Sequence, residues 1–321
     1  MINNKIIIIS GDPNSINSEL IYKCWKKLDL DTKKKIFLVS NYDLIKKQFK
    51  RLKYKIKLLK VDNLKDVKNH NLKIINVKLN FKNPFNVSYK NASKFIKNSL
   101  ELGHKLALDK NVNGIINCAI DKKLLGRKNM GVTEYLALKC NVKNHSETML
   151  IKNKKLSVCP ITTHIDVKDV SKNINSNKII NKLNVINLWY RKKYKKKPRI
   201  GVLGLNPHNA ELRKNSEENK IIAPVIKKLS KKGYKIKGPL ISDTLFIKNY
   251  KEFDVIVGMY HDQVLSPFKT LFKFDAINIT LGLKYLRVSP DHGTAVNLIG
   301  KKKANIISLM SCIDYVKKNK R

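Results

Sequence analysis

Short apolar runs alternate with longer amphipathic, lysine-rich segments along almost the whole chain, and this alternation constrains the fold more than any other feature. The runs Lys5–Ser10, Lys35–Ser40, Leu72–Val77, Gly114–Cys118, Leu156–Ile161, Arg199–Leu205, Asp254–Met259 and Ala276–Thr280 have the character of buried strands. Between them, Asn86–Leu108, Asp166–Lys193 and Ser216–Lys232 have helical length and spacing. Strands alternating with helices argue for an α/β fold with a mainly parallel sheet. Pro198 closes the long basic helix ahead of a strand. At 321 residues the chain can bury a sizeable core, in one large domain or two medium ones.

The turn after the first expected strand reads Gly11-Asp-Pro-Asn-Ser-Ile-Asn17 and carries one glycine. An ordinary dinucleotide-binding turn needs Gly-x-Gly-x-x-Gly so that backbone can approach the pyrophosphate; that mode of binding is unsupported here. Asn tolerates positive φ, so Asn17 is expected to keep the turn geometry.

The stretch from Gly258 to Gly300 is chemically the richest. It holds Gly258-Met-Tyr-His-Asp-Gln263, Lys269, Asn278, Arg287 and Asp291-His-Gly-Thr-Ala295. Asp254-Val-Ile-Val-Gly258 reads as a central strand that delivers Tyr260, His261 and Asp262 to its carboxyl end, where open α/β sheets bind ligands. Lys269, Asn278 and Arg287 recur at nine-residue intervals. They offer an ammonium, an amide and a guanidinium, a set suited to a small phosphorylated or carboxylated molecule. A solvated loop accounts for any single lysine in so basic a chain, but not for the combination.

Three histidines share one context: His164 follows Thr162-Thr163, His208 follows Asn206-Pro207, and His261 follows Met259-Tyr260. Each lies just past an apolar strand, so all three can converge at one sheet edge. Imidazole is the commonest ligand for Zn, Co or Ni, and three ligands with an open position describe a catalytic site. Their spacing is not diagnostic of a metal. An isolated histidine is more often a structural hydrogen-bonding group, and the residues alone leave both readings open.

Composition excludes some classes of function. No apolar run approaches the ~20 residues that span a bilayer. Met1-Ile-Asn-Asn-Lys-Ile-Ile-Ile-Ile-Ser10 reads as a first strand, since no small-residue cleavage site follows it. The five cysteines (Cys24, Cys118, Cys140, Cys159, Cys312) are scattered without a Cys-x-x-Cys pair, which fits a reduced, cytoplasmic setting. The net charge of +43 raises the question of nucleic acid. Yet the basic residues are spread over the chain. Arg191–Lys197 and Lys317–Arg321 are short runs, and no nucleic-acid-binding motif accompanies them. Lys, Asn and Ile share A/T-rich codons, so biased genome composition explains the charge without a polyanionic partner. In dilute salt it still steers anionic substrates toward the protein.

The Gly258–Gly300 stretch closely resembles the 4-hydroxythreonine-4-phosphate dehydrogenase family of pyridoxal-phosphate biosynthesis. Similar signatures lie at Gly11-Asp-Pro13, Gly131-Val-Thr-Glu-Tyr-Leu-Ala137 and Thr162-Thr-His-Ile165. Others lie at Gly204-Leu-Asn-Pro-His-Asn-Ala-Glu211 and Gly238-Pro-Leu-Ile-Ser-Asp-Thr-Leu-Phe246. They keep the family's order and cover about residues 5 to 300. The resemblance implies two α/β/α domains with a central cleft, of the isocitrate/isopropylmalate dehydrogenase type. It places residues 1–128 plus 293–321 in the first and 129–292 in the second.

The resemblance also implies roles. His164, His208 and His261 fall on metal-ligand positions, for one divalent ion (Zn, Mg or Co) shared across a homodimer. Asp243, Asp262 and Glu211 become candidates for orienting those ligands, and Lys122 a catalytic candidate. Thr133, Lys269, Asn278 and Arg287 match substrate-contacting positions, while His292 and Gly293 lie where the fold meets its cofactor, NAD or NADP. The implied reaction is oxidation of 4-phosphooxy-L-threonine and decarboxylation to 3-amino-2-oxopropyl phosphate. The chain departs from the family's usual residues at Val132 (histidine), Asn117 (threonine), Ala119 (proline) and near Ser15 and Asn17 (glycine). Val132 keeps open a sister activity on another phosphorylated hydroxy acid, such as a tetronate 4-phosphate. A third possibility is a catalytically weak homologue that binds polyanions; the retained histidines argue against it.

Overall fold

The computed structural model describes residues 4–64, 70–126, 131–143, 146–273 and 275–319; Lys320 and Arg321 of the terminal basic run lie outside them. The chain forms two compact units, Met1–Cys140 with Leu283–Arg321, and Asn141–Gly282. The first stretch contributes strands β1 (Lys5–Ile9), β2 (Ile36–Ser40), β3 (Leu58–Val61), β4 (Leu72–Asn76) and β5 (Val112–Asn117). The second unit contributes β6 (Thr148–Lys152), β7 (Ser157–Pro160), β8 (Arg199–Leu203), β9 (Lys235–Leu240), β10 (Val255–Gly258) and β11 (Ile277–Leu281). β12 (Arg287–Pro290) returns to the first unit.

In the first unit the strand order is β3-β4-β2-β1-β5-β12, with every pair parallel. The isoleucines of β1 explain its central place: Ile6, Ile7 and Ile9 are fully buried, so both faces of the strand are covered. Gly103 of the helix Tyr89–Ala107 lets that helix press onto β1, since a Cβ there would collide with Ile9. The breaks expected at 128/129 and 292/293 fall on either side of two elements that pack in this unit. The helix Val132–Lys139 is tied to Tyr89–Ala107 by the Lys139–Glu101 ion pair, and β12 pairs with β5.

In the second unit the order is β11-β6-β7-β10-β8-β9. The pairs β11–β6 and β6–β7 are antiparallel; β7–β10, β10–β8 and β8–β9 are parallel. All eight strands expected from apolar runs are present, within a residue or two at each end. The long helix starts at Ser176, not at Asp166, because Asn175 accepts the Lys178 N–H and caps it there. Residues 167–173 form two 3₁₀ turns instead. The Ser216–Lys232 segment opens with a π turn, Glu218–Ile222, before the helix Ala223–Lys231.

Lys73 in β4 is fully buried, and its ammonium donates to the carbonyls of Lys33 and Lys34 at the end of the helix Leu30–Lys35. Burial pushes its pKa down to about 8. All five cysteines are free and buried.

Candidate active site

β7, β10 and β8 lie side by side and run parallel, so their carboxyl ends share one edge of the second unit's sheet. His164, His261 and His208 each follow one of these three strands. Two buried polar side chains lock the strand ends together. Thr162 donates through both its amide (3.1 Å) and its hydroxyl (2.7 Å) to the Met259 carbonyl, joining β7 to β10. Gln263 accepts the Met259 N–H at 2.7 Å and donates to the Gly204 carbonyl at 2.7 Å, joining β10 to β8. Gly258 is required by this close packing: a Cβ there would lie 2.6 Å from Val264 and 2.9 Å from Gln263 Oε1. Gln263 lies within the Tyr-His-Asp-Gln signature, but its joining role shows only in the structure.

His261 is the first residue of the helix His261–Phe272, and its Nδ1 lies 2.6 Å from Asp262 Oδ1. With Nδ1–H donated to the carboxylate, the lone pair is on Nε2. The rings of His164 and His261 lie 5.9 Å apart between centroids. His208 is exposed on the turn Pro207–Leu212. Among the described residues, no three His, Cys, Asp or Glu side chains of this one chain converge closely enough to hold a metal ion. Of the carboxylates named from sequence, Asp262 touches a histidine. Asp243 is exposed in the short helix Ser242–Leu245, and Glu211 is exposed at the end of the His208 turn.

That turn has an unusual backbone. His208, Asn209, Ala210 and Glu211 all have φ between 49° and 55°, four successive non-glycine residues in the left-handed region. Each such residue costs roughly 1–2 kcal/mol, so the surroundings must impose the shape. Asn209 donates to the Pro239 carbonyl at 3.0 Å, and Gly204 leaves room for the Asn209 amide. The fully buried Glu218 carboxylate accepts the Leu205 and Asn206 amides at 2.7 and 2.8 Å. Burial alone would raise its pKa, but these hydrogen bonds outweigh burial and hold it below the usual range. Ala210→Gly should therefore stabilise the protein by about 0.5–1 kcal/mol, relief of strain exceeding the entropy of the added glycine. Thermal unfolding checks this: a melting temperature higher by about 2 °C is expected, and a lower one would contradict the strain.

Lys269 lies in the last turn of the His261 helix, half-buried. Asn278 sits in β11, and its Oδ1 is buried and accepts no hydrogen bond among the described residues. A buried acceptor of this kind gains from a donor on a bound molecule.

The first unit holds the other expected substrate residues together. Arg287, buried at the start of β12, donates from Nε to Asn117 Oδ1 at 2.6 Å and from Nη1 to Thr133 Oγ1 at 3.2 Å. Burial pushes its pKa down to about 10, opposed by the nearby Glu134 carboxylate. Thr133 follows Val132, the first residue of the helix Val132–Lys139, whose Glu134 accepts the Gly131 N–H at 3.0 Å.

In the same unit, Gly11 takes the positive φ of 75°, and Asn17 is the first residue of the helix Asn17–Lys27. The expectation that Asn17 supplies a positive φ is thus corrected: it holds the turn through its side chain, which donates to the Ala119 carbonyl at 2.8 Å. A Cβ on Gly11 would lie 2.5 Å from that same carbonyl. Lys122 is exposed in the 3₁₀ turn Lys122–Leu125. The 291–295 loop meets the Gly11–Asn17 turn, since the Ile16 N–H donates to the Thr294 carbonyl at 3.2 Å. On that loop His292 Nδ1 lies 2.9 Å from the Gly293 carbonyl, and Gly293 has open space where a Cβ would stand.

One unit with an all-parallel sheet and one with a mixed sheet, without a Rossmann glycine turn, make an α/β fold of the kind found in isocitrate dehydrogenase. The likeness to that enzyme from Methylococcus capsulatus is one of fold alone, with a TM-score of 0.52 at 10% identity, covering 99% of this chain and 86% of the other. The model of the family "Pyridoxal phosphate biosynthetic protein PdxA" matches residues 32–316. The chain is 37% identical over 317 residues to the 4-hydroxythreonine-4-phosphate dehydrogenase of Sulfurihydrogenibium sp., covering 97% of this chain and 96% of that one. The crystal structure of 4-hydroxythreonine-4-phosphate dehydrogenase from Klebsiella pneumoniae is similar with a TM-score of 0.84 at 28% identity, over 98% and 97% of the two chains. The chain is also 30% identical, over 92% of its length and 91% of the other, to a protein of Oceanobacillus iheyensis named putative D-threonate 4-phosphate dehydrogenase. This chain belongs to the 4-hydroxythreonine-4-phosphate dehydrogenase family, oxidoreductases that act on a CH–OH group.

Proposed function

We propose that this protein oxidises 4-phosphooxy-L-threonine with NAD or NADP, with decarboxylation to 3-amino-2-oxopropyl phosphate. The observation that carries the reading is the placement of His164, His208 and His261 at the carboxyl ends of three neighbouring parallel strands. Such an all-imidazole donor set fits a divalent cation. The Asp262 carboxylate against His261 Nδ1 leaves the Nε2 lone pair for it. Nitrogen donors suit Zn or Co better than Mg, which prefers oxygen. Because the three donors do not converge within one chain among the described residues, the reading includes a homodimer in which both subunits supply ligands. Held by these histidines, a divalent cation would supply Lewis acidity at the substrate hydroxyl, and a nicotinamide cofactor would supply the hydride acceptor.

The chain's own residues bind and orient. Lys269 and Arg287 supply positive charge for the phosphate and carboxylate of the substrate. Asn278 presents its buried acceptor, and Thr133 a hydroxyl. His292 and Gly293 are assigned to the cofactor, and Lys122 and Asp243 are the candidates for proton transfer. Among the described residues, no helix is long and apolar enough to cross a membrane.

Val132 and the Oceanobacillus relative favour one second reading, a tetronate 4-phosphate as substrate. The assay is kcat/KM for wild type and Val132→His on both substrates. We expect turnover of 4-phosphooxy-L-threonine by the wild type. The added imidazole should raise its kcat/KM by up to about tenfold, the equivalent of one recovered hydrogen bond. A wild type inert on it but active on a tetronate phosphate would establish the second reading.

A further inference from the structure

We infer that Asn117 is a positioning residue for Arg287, holding the guanidinium in place through a neutral acceptor that sets no second carboxylate beside it to compete with a substrate anion. The inference rests on the assignment of Arg287 to the substrate. The two residues meet because of strand register: Arg287 of β12 stands opposite Ile115 of β5, and Asn117 follows two residues on, on the same face. Both side chains are 3% exposed. The contact of 2.6 Å between Arg287 Nε and Asn117 Oδ1 is short, as expected of a charge-assisted bond. A guanidinium carries only donors, so the amide must turn its oxygen to the arginine. Its nitrogen then points the other way, 3.3 Å from the Cys118 carbonyl.

The choice of side chain matters electrostatically. Asn117 and Thr133 anchor Nε and Nη1 with uncharged oxygens, which fix the plane of the fork without adding to the negative charge that Glu134 already brings near it. A carboxylate at position 117 would hold the arginine more tightly, yet would compete with a substrate phosphate or carboxylate for the same cation. Asn117→Asp has nearly the same shape, so it separates holding from charge.

The experiment compares wild type, Asn117→Ala, Asn117→Asp and Arg287→Ala by KM and kcat for 4-phosphooxy-L-threonine and by thermal unfolding. Asn117→Asp should keep or raise the melting temperature while KM rises about tenfold or more, with kcat changed much less. Asn117→Ala should raise KM about five- to tenfold, through a guanidinium no longer fixed. A merely structural role predicts the same retained stability for Asn117→Asp but an unchanged KM. That result, alongside an impaired Arg287→Ala, would overturn the positioning role alone. An Arg287→Ala variant with unchanged KM would instead overturn the assignment of Arg287 to the substrate, and the inference with it.

Discussion

Replacing His261 by alanine is expected to abolish turnover and to remove most of the bound metal in the same sample. The ring is held by Asp262 against Nδ1 and stands 5.9 Å from the His164 ring, so its loss removes a donor from an already sparse set. One ligand fewer leaves two imidazoles, too few for a stable site of the catalytic type. His164→Ala should behave alike, and Asp262→Asn should lose roughly 10–100-fold in metal affinity or activity, the usual effect of disturbing a ligand's partner. If both subunits supply ligands, mixed dimers of His261→Ala with His208→Ala should regain roughly a quarter of wild-type activity. Half of the dimers are then mixed, and each carries one intact site. Metal analysis by mass spectrometry alongside assay decides it. Full metal content in both His164→Ala and His261→Ala would remove the histidines from any metal site.

Arg287→Lys is expected to raise KM by about 10–100-fold. The guanidinium makes two separate bonds in fixed directions, to Asn117 at 2.6 Å and to Thr133 at 3.2 Å. An ammonium cannot reproduce that fork. Burial makes the change harsher, because a desolvated lysine loses its proton far more readily than arginine; here burial already lowers the arginine to about 10. Each charge-assisted bond lost accounts for roughly 1.5–3 kcal/mol, hence the range. Steady-state kinetics with 4-phosphooxy-L-threonine tests this, and unchanged KM and kcat would exclude Arg287 from substrate binding.

The placement of the histidines was readable in advance because each follows a run apolar enough to be a buried strand, and a strand's end is where its neighbours' ends gather. The partners of these residues were not. Gln263 reads as one more amide in a polar motif until the ends of β10 and β8 bring Met259 and Gly204 within 2.7 Å of it. Asn117 reads as a departure from the family until register sets it beside Arg287. β3, β6, β9 and β12 are not among the expected strands; β3 and β9 are edge strands, where lysine, glycine and proline are tolerated and the apolar run is interrupted.

The sequence by itself determined the α/β class, eight of the strands and the family, since these depend on local apolar content and on short motifs in order. Only the tertiary structure decided that β7, β10 and β8 are neighbours, that Thr133 and Arg287 share a unit, and that His208 stands on a left-handed turn. Strand adjacency depends on pairing between residues far apart in the chain. The left-handed turn runs against local preference and persists because Asn209, Gly204 and Glu218, brought together by the fold, hold it.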